Sequence, residues 1–417
     1  MRKLTVKNFS VIKEAELDFG KITVLIGPQS SGKSLLCKLA FFLGQVVPEF
    51  VEECVMSNLP QGVLMHKINE EFQARFPESS WSGQQFKIEY TMESFTLLAE
   101  KYRPHEPPHF DFGTPFDNEY ANWLNKGPKG LRVVVPSRIR KQIESQGVTL
   151  AGPPIIEDSV YIPTGRSFYS TPNRALAALS TKNVDWITQL YATVFDADYK
   201  ALRESYETEQ PVLYEFGQMA TQVIKGRVIA ESGRLVFESS EDSRRRPFEI
   251  LSSGTQELLP LINSLSQLSR RARYPDIPTM PVPPFGMVYI EEPESSVFPT
   301  TQNDLVKLFA WLASQKSLWI EYAITTHSPY ILSAFGNLLK AGKVGAQSAE
   351  HHAAVEKTIA EKYWIKNSDF AAYKIENGVL KSIFDKDTGQ IDGDYLDDVS
   401  SDIAEEFGQL LEIQYGG

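Results

Sequence analysis

ITVLIGPQSSGKSLLCKLAFFL, residues 22–43, joins three patterns in one run. ITVLI is short, apolar and β-branched, which predicts a buried strand. LLCKLAFFL has the apolar density of a core helix. Between them GPQSSGKS satisfies G-x-x-x-x-G-K-[ST], with Gly27, Pro28, Gln29, Ser30, Ser31, Gly32, Lys33 and Ser34 in its eight places. The residue types suit phosphate binding. Glycines let the backbone curl until successive N–H groups point inward, and the helix start adds about half a positive charge. Lys33 then brings a full charge to the β- and γ-phosphates, and the Ser34 hydroxyl completes a Mg²⁺ shell.

Working outward, two more apolar runs end in polar turns. GMVYI (286–290) leads into Glu291 and Glu292, and LWIEYAITT (318–326) leads into His327. A helical pattern follows each, which predicts an α/β fold with a mostly parallel sheet and ligands at the carboxyl ends of its strands. At such an edge Glu291 is placed to orient the metal shell and Glu292 to hold an attacking water. That is positioning more than strong base chemistry, because phosphoryl transfer needs alignment and charge neutralisation. His327 is a candidate donor to the γ-phosphate or a holder of the water. LSSGTQE (251–257) precedes an amphipathic helix and reads two ways: Ser252 and its neighbours as an ordinary serine cap, or Ser253 and Gly254 as a second anion-binding helix start.

The composition limits the alternatives. The 417 residues carry 42 basic and 53 acidic side chains, a net charge of −11, which excludes a uniformly basic nucleic-acid coat. Arg138–Lys141, Arg244–Arg246 and Arg270–Arg273 are local basic clusters, read first as solvated or ion-paired faces. Two cysteines, Cys37 and Cys54, supply neither a disulfide framework nor a four-ligand zinc site. The apolar stretch Leu39–Val47 is too short to span a bilayer, and the amino terminus has no signal-peptide pattern, so a cytoplasmic location is expected. Residues 1–345 read as one head. It carries an insertion over about 45–158, a helical lobe over about 170–225 and 250–272, and a hairpin at 226–240. Residues 346–417 read as a C-terminal strand–helix segment whose window 385–406 holds nine acids against Lys386. There Asp385, Asp387, Asp392 and Asp394 imitate a metal-binding pair of motifs, read as turn residues. His351 and His352 read as a wet helix face.

The order GPQSSGKS, LSSGTQE, YIEEPE, TTHSP resembles the ATP-binding-cassette (ABC) type of P-loop ATPase: Walker A, signature, Walker B with catalytic glutamate, and switch histidine. The early phosphate loop, the gap of about 225 residues to Ser252, and the phrases YIPTGRS, EEPESSVFP and TTHSPYIL are similar to the RecF/SMC/OLD group and its bacterial OLD-like AAA ATPases (AAA_15/AAA_21-like). The resemblance implies an ABC-type head with N-terminal antiparallel strands, an inserted helical lobe and a small C-terminal segment. It implies ATP and Mg²⁺ as ligands. It also implies a homodimer that sandwiches ATP, with Gly27–Ser34, Glu291, Glu292 and His327 acting in cis and Ser253 and Gly254 in trans. Glu294 and Ser295 would lie near the dimer seam, and Arg166 either approaches the nucleotide or seam or makes an ordinary salt bridge. Glu291 stands where the family carries aspartate, and SSG stands where SGG is usual; both suit a slow ATPase. With 90 residues after His327, an appended Toprim nuclease domain is not expected. The function implied is a switch ATPase gating a separate effector, nuclease or toxin, in defence against phage. A RecF-like DNA-repair clamp that binds DNA, and a nucleotide-binding scaffold with little hydrolysis, are the alternatives.

Overall fold

The computed structural model describes residues 2–92, 95–103, 106–126, 158–170, 185–193, 211–231, 234–271, 285–315 and 320–392. An 11-stranded sheet runs through it. Its strands, in chain order, are β1 (Arg2–Phe9), β2 (Ile12–Phe19), β3 (Ile22–Ile26), β4 (Phe86–Met92), β5 (Phe95–Lys101), β6 (His109–Asp111) and β7 (Asp158–Ile162). Outside this sheet β8 (Gly226–Glu231), β9 (Arg234–Ser239) and β10 (Arg245–Arg246) form a small antiparallel one, the expected hairpin plus a short third strand. The large sheet is completed by β11 (Phe285–Glu291), β12 (Glu321–Thr326), β13 (Phe370–Glu376) and β14 (Val379–Ser382). The order is β6-β5-β4-β1-β2-β14-β13-β3-β12-β11-β7.

Two halves differ in direction. From β13 through β3, β12 and β11 to β7 every pairing is parallel. From β2 through β1, β4 and β5 to β6 every pairing is antiparallel. The class is therefore α/β with a parallel block and N-terminal antiparallel strands. β4, β5 and β6, read from sequence only as part of an irregular insertion, extend this sheet. The signal for β4 was present in FKIEYTM, whose alternate side chains are buried.

Helices cover both faces. On one side lie α1 (Lys33–Phe41), α2 (Val47–Met56), α3 (Gln61–Arg75) and α4 (Gly113–Lys126). On the other lie α5 (Pro211–Ile224), α6 (Ser253–Arg271), α7 (Pro299–Ser314) and α8 (Pro329–Gly345). A short α9 (Ala349–Glu356) follows. β3 shows why its sequence is apolar throughout: Leu25 joins the core on the α1 side, while Ile22, Val24 and Ile26 join the core under α7 and α8. Lys33–Met56 forms a longer helical run than the apolar stretch suggested, long and apolar enough to cross a membrane by composition alone. Most of it is buried inside the protein, and Leu36, Leu39, Phe41, Phe42, Val47 and Val51 belong to the core.

Several readings lie partly or wholly outside the described residues: Arg138–Lys141, Arg273, and the acidic helix beyond Asp392. Asp385 and Asp387 sit in a hairpin turn, where Asp385 Oδ1 accepts from the Asp387 and Thr388 N–H groups. A hydrogen bond from the Thr388 side chain, and then these two backbone bonds, hold the Asp385 carboxyl below its ordinary pKa. Among the described residues no group of three or more His, Cys, Asp or Glu could hold a metal ion by itself. Cys37 and Cys54 are free and buried.

Candidate functional site

The parallel register aligns the chemistry. Ile26 pairs with Thr326, Thr325 with Glu291, and Ile290 with Ile162. The segments that follow these residues are GPQSSGKS, His327, Glu291–Glu292 and PTGRS, and all leave one edge of the sheet. The carboxyl ends of parallel strands are where α/β folds bind ligands.

The loop has the geometry its motif requires. Gly32 adopts φ 108°, and a Cβ there would stand 2.3 Å from Ile12 Cδ1. A Cβ on Gly27 would stand 2.3 Å from the Ile375 carbonyl oxygen. Pro28, Gln29 and Ser30 are exposed, and Ser30 takes a left-handed φ of 59°. No side chain caps α1, and no acid stands in its first turn. Lys33 is buried, and its ammonium donates to the Gly27 and Pro28 carbonyls at 2.8 Å each. Burial lowers the Lys33 pKa, and the Glu292 and Glu294 carboxylates oppose that shift.

The glutamates are held differently. Glu291 is buried; its Oε1 accepts from the Tyr161 hydroxyl at 2.6 Å, and its Oε2 from the Thr164 N–H at 3.3 Å. Burial first, and then this carboxylate, push the Tyr161 phenol well above its ordinary pKa. Glu292 is half-exposed at φ 39°, a left-handed conformation that side chains other than glycine rarely adopt. Its N–H donates to the Thr325 carbonyl at 2.8 Å, and its Oε1 lies 3.2 Å from His327 Nε2. His327 is placed by Glu294, whose Oε1 accepts from the His327 N–H and the Thr326 hydroxyl at 2.7 Å each. The side chain of Glu294 is thus a clamp inside the chain. Ser328 closes the turn: its Oγ accepts from the Tyr330 N–H and donates to Gln302 Oε1 at 2.6 Å.

The signature segment obeys the capping reading locally. Ser252 Oγ accepts from the Thr255 N–H at 3.3 Å, while Ser252 and Ser253 face solvent. Gly254 lies against the turn after the glutamates, where a Cβ would stand 2.5 Å from the Ser296 carbonyl oxygen. Side chains bind these turns together, and of these the sequence analysis named Arg166 but not its partner Glu257. Arg166 has no exposed surface, and Glu257 of LSSGTQE pairs with it at 3.6 Å. Arg166 therefore takes the salt-bridge reading rather than an approach to nucleotide. The Arg244–Arg246 cluster is ion-paired with Glu231, Glu238 and Asp242.

The residues present fit a nucleotide with Mg²⁺. The helix start is uncapped, Ser34 is partly accessible, and Glu291 keeps acceptor capacity beyond its two bonds. Thr325 Oγ1, in register with Glu291, and Glu294 Oε2 are buried without a hydrogen-bond partner among the described residues.

No family model matches the chain, and no curated protein matches it. Among solved structures it is similar to the SMC head domain from Thermotoga maritima, at 13% identity and TM-score 0.39, covering 91% of this chain and 97% of that one. An SmcHead bound to the C-winged helix domain of ScpA gives 12% identity and TM-score 0.39, with 91% and 96% covered. An Smc head domain with an extended coiled coil, bound to the C-terminal domain of ScpA derived from Pyrococcus furiosus, gives 13%, 0.37, 92% and 96%. These are distant overlaps. The class rests on the chain's own strand order and loop: an α/β fold of P-loop type.

Proposed function

We propose that this protein is an ABC-type ATPase that binds ATP with Mg²⁺, hydrolyses it slowly and dimerises around it as a switch. The observation that carries the reading is the convergence of Lys33, Glu292 and His327 at the ends of β3, β11 and β12, with Glu292 and His327 in contact. Lys33 exchanges its two loop carbonyls for phosphate oxygens. The N–H groups at the start of α1 complete the cradle. Ser34 and Glu291 are the residues that would hold Mg²⁺, whose charge offsets that of the phosphates. Glu292 accepts a hydrogen bond from the attacking water and aligns it, and His327 Nε2–H donates to Glu292 and fixes its direction.

Ser253 and Gly254 are assigned to the partner subunit's nucleotide, since they stand exposed or half-exposed at the start of α6. Gating of a separate effector in defence against phage is the further reading, and it rests on the family resemblance alone. The RecF-like alternative draws less support, because the described arginines of the 244–246 cluster are neutralised by neighbouring acids. The test is turnover by the purified chain. Lys33→Ala should abolish nucleotide binding and turnover. Glu292→Gln should bind ATP, lose about 10²–10⁴-fold in kcat and accumulate as a nucleotide-bound dimer. Wild-type turnover in Glu292→Gln would refute the assignment.

A further inference from the structure

Arg166 lies just beyond the carboxyl end of β7 and is fully buried. Its guanidinium spends four hydrogen bonds on backbone carbonyls. Nη1 donates to Pro163 O at 2.8 Å and Glu291 O at 2.6 Å, Nη2 to Glu292 O at 2.9 Å, and Nε to Glu257 O at 3.2 Å. The Glu257 carboxylate answers by accepting the N–H groups of Arg166 and Ser167, at 2.9 and 3.1 Å. Two segments far apart in sequence, the glutamate turn and the first turns of α6, are thereby tied through one planar fork. A second contact joins them independently: Gly254 sits so close to Ser296 that no side chain fits between.

We propose that Arg166 is a positioning residue for hydrolysis, whose guanidinium locks the Glu291–Glu292 turn to α6 so that the stance of Glu292 follows the stance of the signature helix. The inference rests on the ATPase reading above and deepens it. Glu292 needs such a lock. Its left-handed φ persists only where neighbours over-determine it, and its carbonyl and N–H are held from opposite sides, by Arg166 and by Thr325. Lysine can keep the charge at 166 but cannot present a planar fork to four acceptors. An approach of a partner to the start of α6 would reach Glu292 through Arg166, and the hydrolytic group would be set only when α6 is.

Arg166→Lys and Glu257→Gln in the full chain test this, measured for binding of a fluorescent ATP analogue, KM, kcat and melting temperature. Since the buried Arg166 guanidinium is committed to four backbone carbonyls, Arg166→Lys should leave analogue affinity and KM within about threefold while kcat falls about 100-fold, the loss expected of a misplaced group. Glu257→Gln, which keeps the fork but loses one charged acceptor, should show the same split at about tenfold. Wild-type kcat in either folded variant would overturn the proposal. So would a parallel fall of affinity, kcat and melting temperature, which marks a merely structural role. If Arg166→Lys fails to fold, Glu257→Gln decides by the same criteria. Loss of turnover in the unmodified protein would instead sink the ATPase reading, and this one with it.

Discussion

Gly254→Ala measures how tightly the signature helix is seated. The new Cβ would start 2.5 Å from the Ser296 carbonyl oxygen, whereas real Cβ atoms essentially never come within 3.0 Å of such a neighbour. The gap must therefore open by at least about 0.5 Å, and overpacking of this kind costs about 1–3 kcal/mol. Neither side yields cheaply. The oxygen is backbone, the 293–297 turn is held by the Ser295 and Val297 N–H bonds to Glu292 O and Glu294 O, and α6 is anchored by Glu257 on Arg166. Against this stands a gain of about 0.4–1 kcal/mol from restricting the unfolded chain, which leaves a net loss of about 1–2 kcal/mol. Gly217→Ala in α5 is the control: a Cβ there meets nothing within 4 Å, so only the gain remains, about 0.5–1 kcal/mol. Thermal melts of the two variants should move in opposite directions, Gly254→Ala down by about 1–2 °C and Gly217→Ala up by about 0.5–1 °C. Gly254→Ala melting at or above the wild type would refute the packing of α6 on the glutamate turn.

Tyr161→Phe removes the hydroxyl that donates to Glu291, a bond to a charged group worth about 1.5–3 kcal/mol. The variant should melt lower and need more Mg²⁺ for half-maximal turnover; an unchanged Mg²⁺ titration would count against Glu291 as a metal-side residue. Stability should also fall as pH rises above about 10. Burial pushes Tyr161, Tyr289 and Tyr322 well above their ordinary value of 10.0. The folded chain therefore keeps protons that the unfolded chain releases, and folding is penalised in that range. Lys33, lowered by burial from 10.5, acts with the opposite sign, but one lysine is outweighed by three phenols. Tyrosinate absorbance at these sites should rise only together with loss of helix signal; tyrosinate forming first in a folded protein would contradict the burial.

What could be read in advance follows from where each interaction keeps its information. The phosphate loop is local: Gly27 to Ser34 carry the whole constraint in eight consecutive residues, and β3 and α1 flank them as the pattern demands. Glu291, Glu292 and His327 were legible because apolar runs mark β11 and β12, and parallel strands bring their ends to one edge. The contact between Glu292 and His327 followed from that placement. Arg166 in YIPTGRS was open to a salt bridge or an approach to the nucleotide or seam, with no partner named. Its partners are mostly carbonyl oxygens, which every residue possesses, so no residue type at 163, 291 or 292 announces them. Ser252 shows the converse difficulty, since a serine that caps a helix and a serine that greets an anion have the same neighbours. The edge strand β6 stayed hidden because its three residues give no period to count.

The two ends of the site are prepared by different means, and this makes them separable. Lys33 already bears the cost of burial, and its ammonium rests on two neutral carbonyls. Bonds from an ammonium to a phosphate oxygen are roughly twice as strong as bonds to neutral acceptors, so under the proposed reading exchanging these carbonyls for phosphate oxygens would favour binding. Glu292 is held in the reverse way. Its backbone is fixed by Thr325 and Arg166, while among the described residues its carboxylate pairs with His327 and, at 3.4 Å, accepts from the Ser295 hydroxyl. Glu292→Gln should therefore remove charge with the backbone hold intact, and Arg166→Lys should disturb that hold without removing charge. If alignment of water matters as much as its polarisation, both variants should bind ATP and both should fail to hydrolyse it. A defect confined to Glu292→Gln would assign the rate to charge and leave position with little part in it.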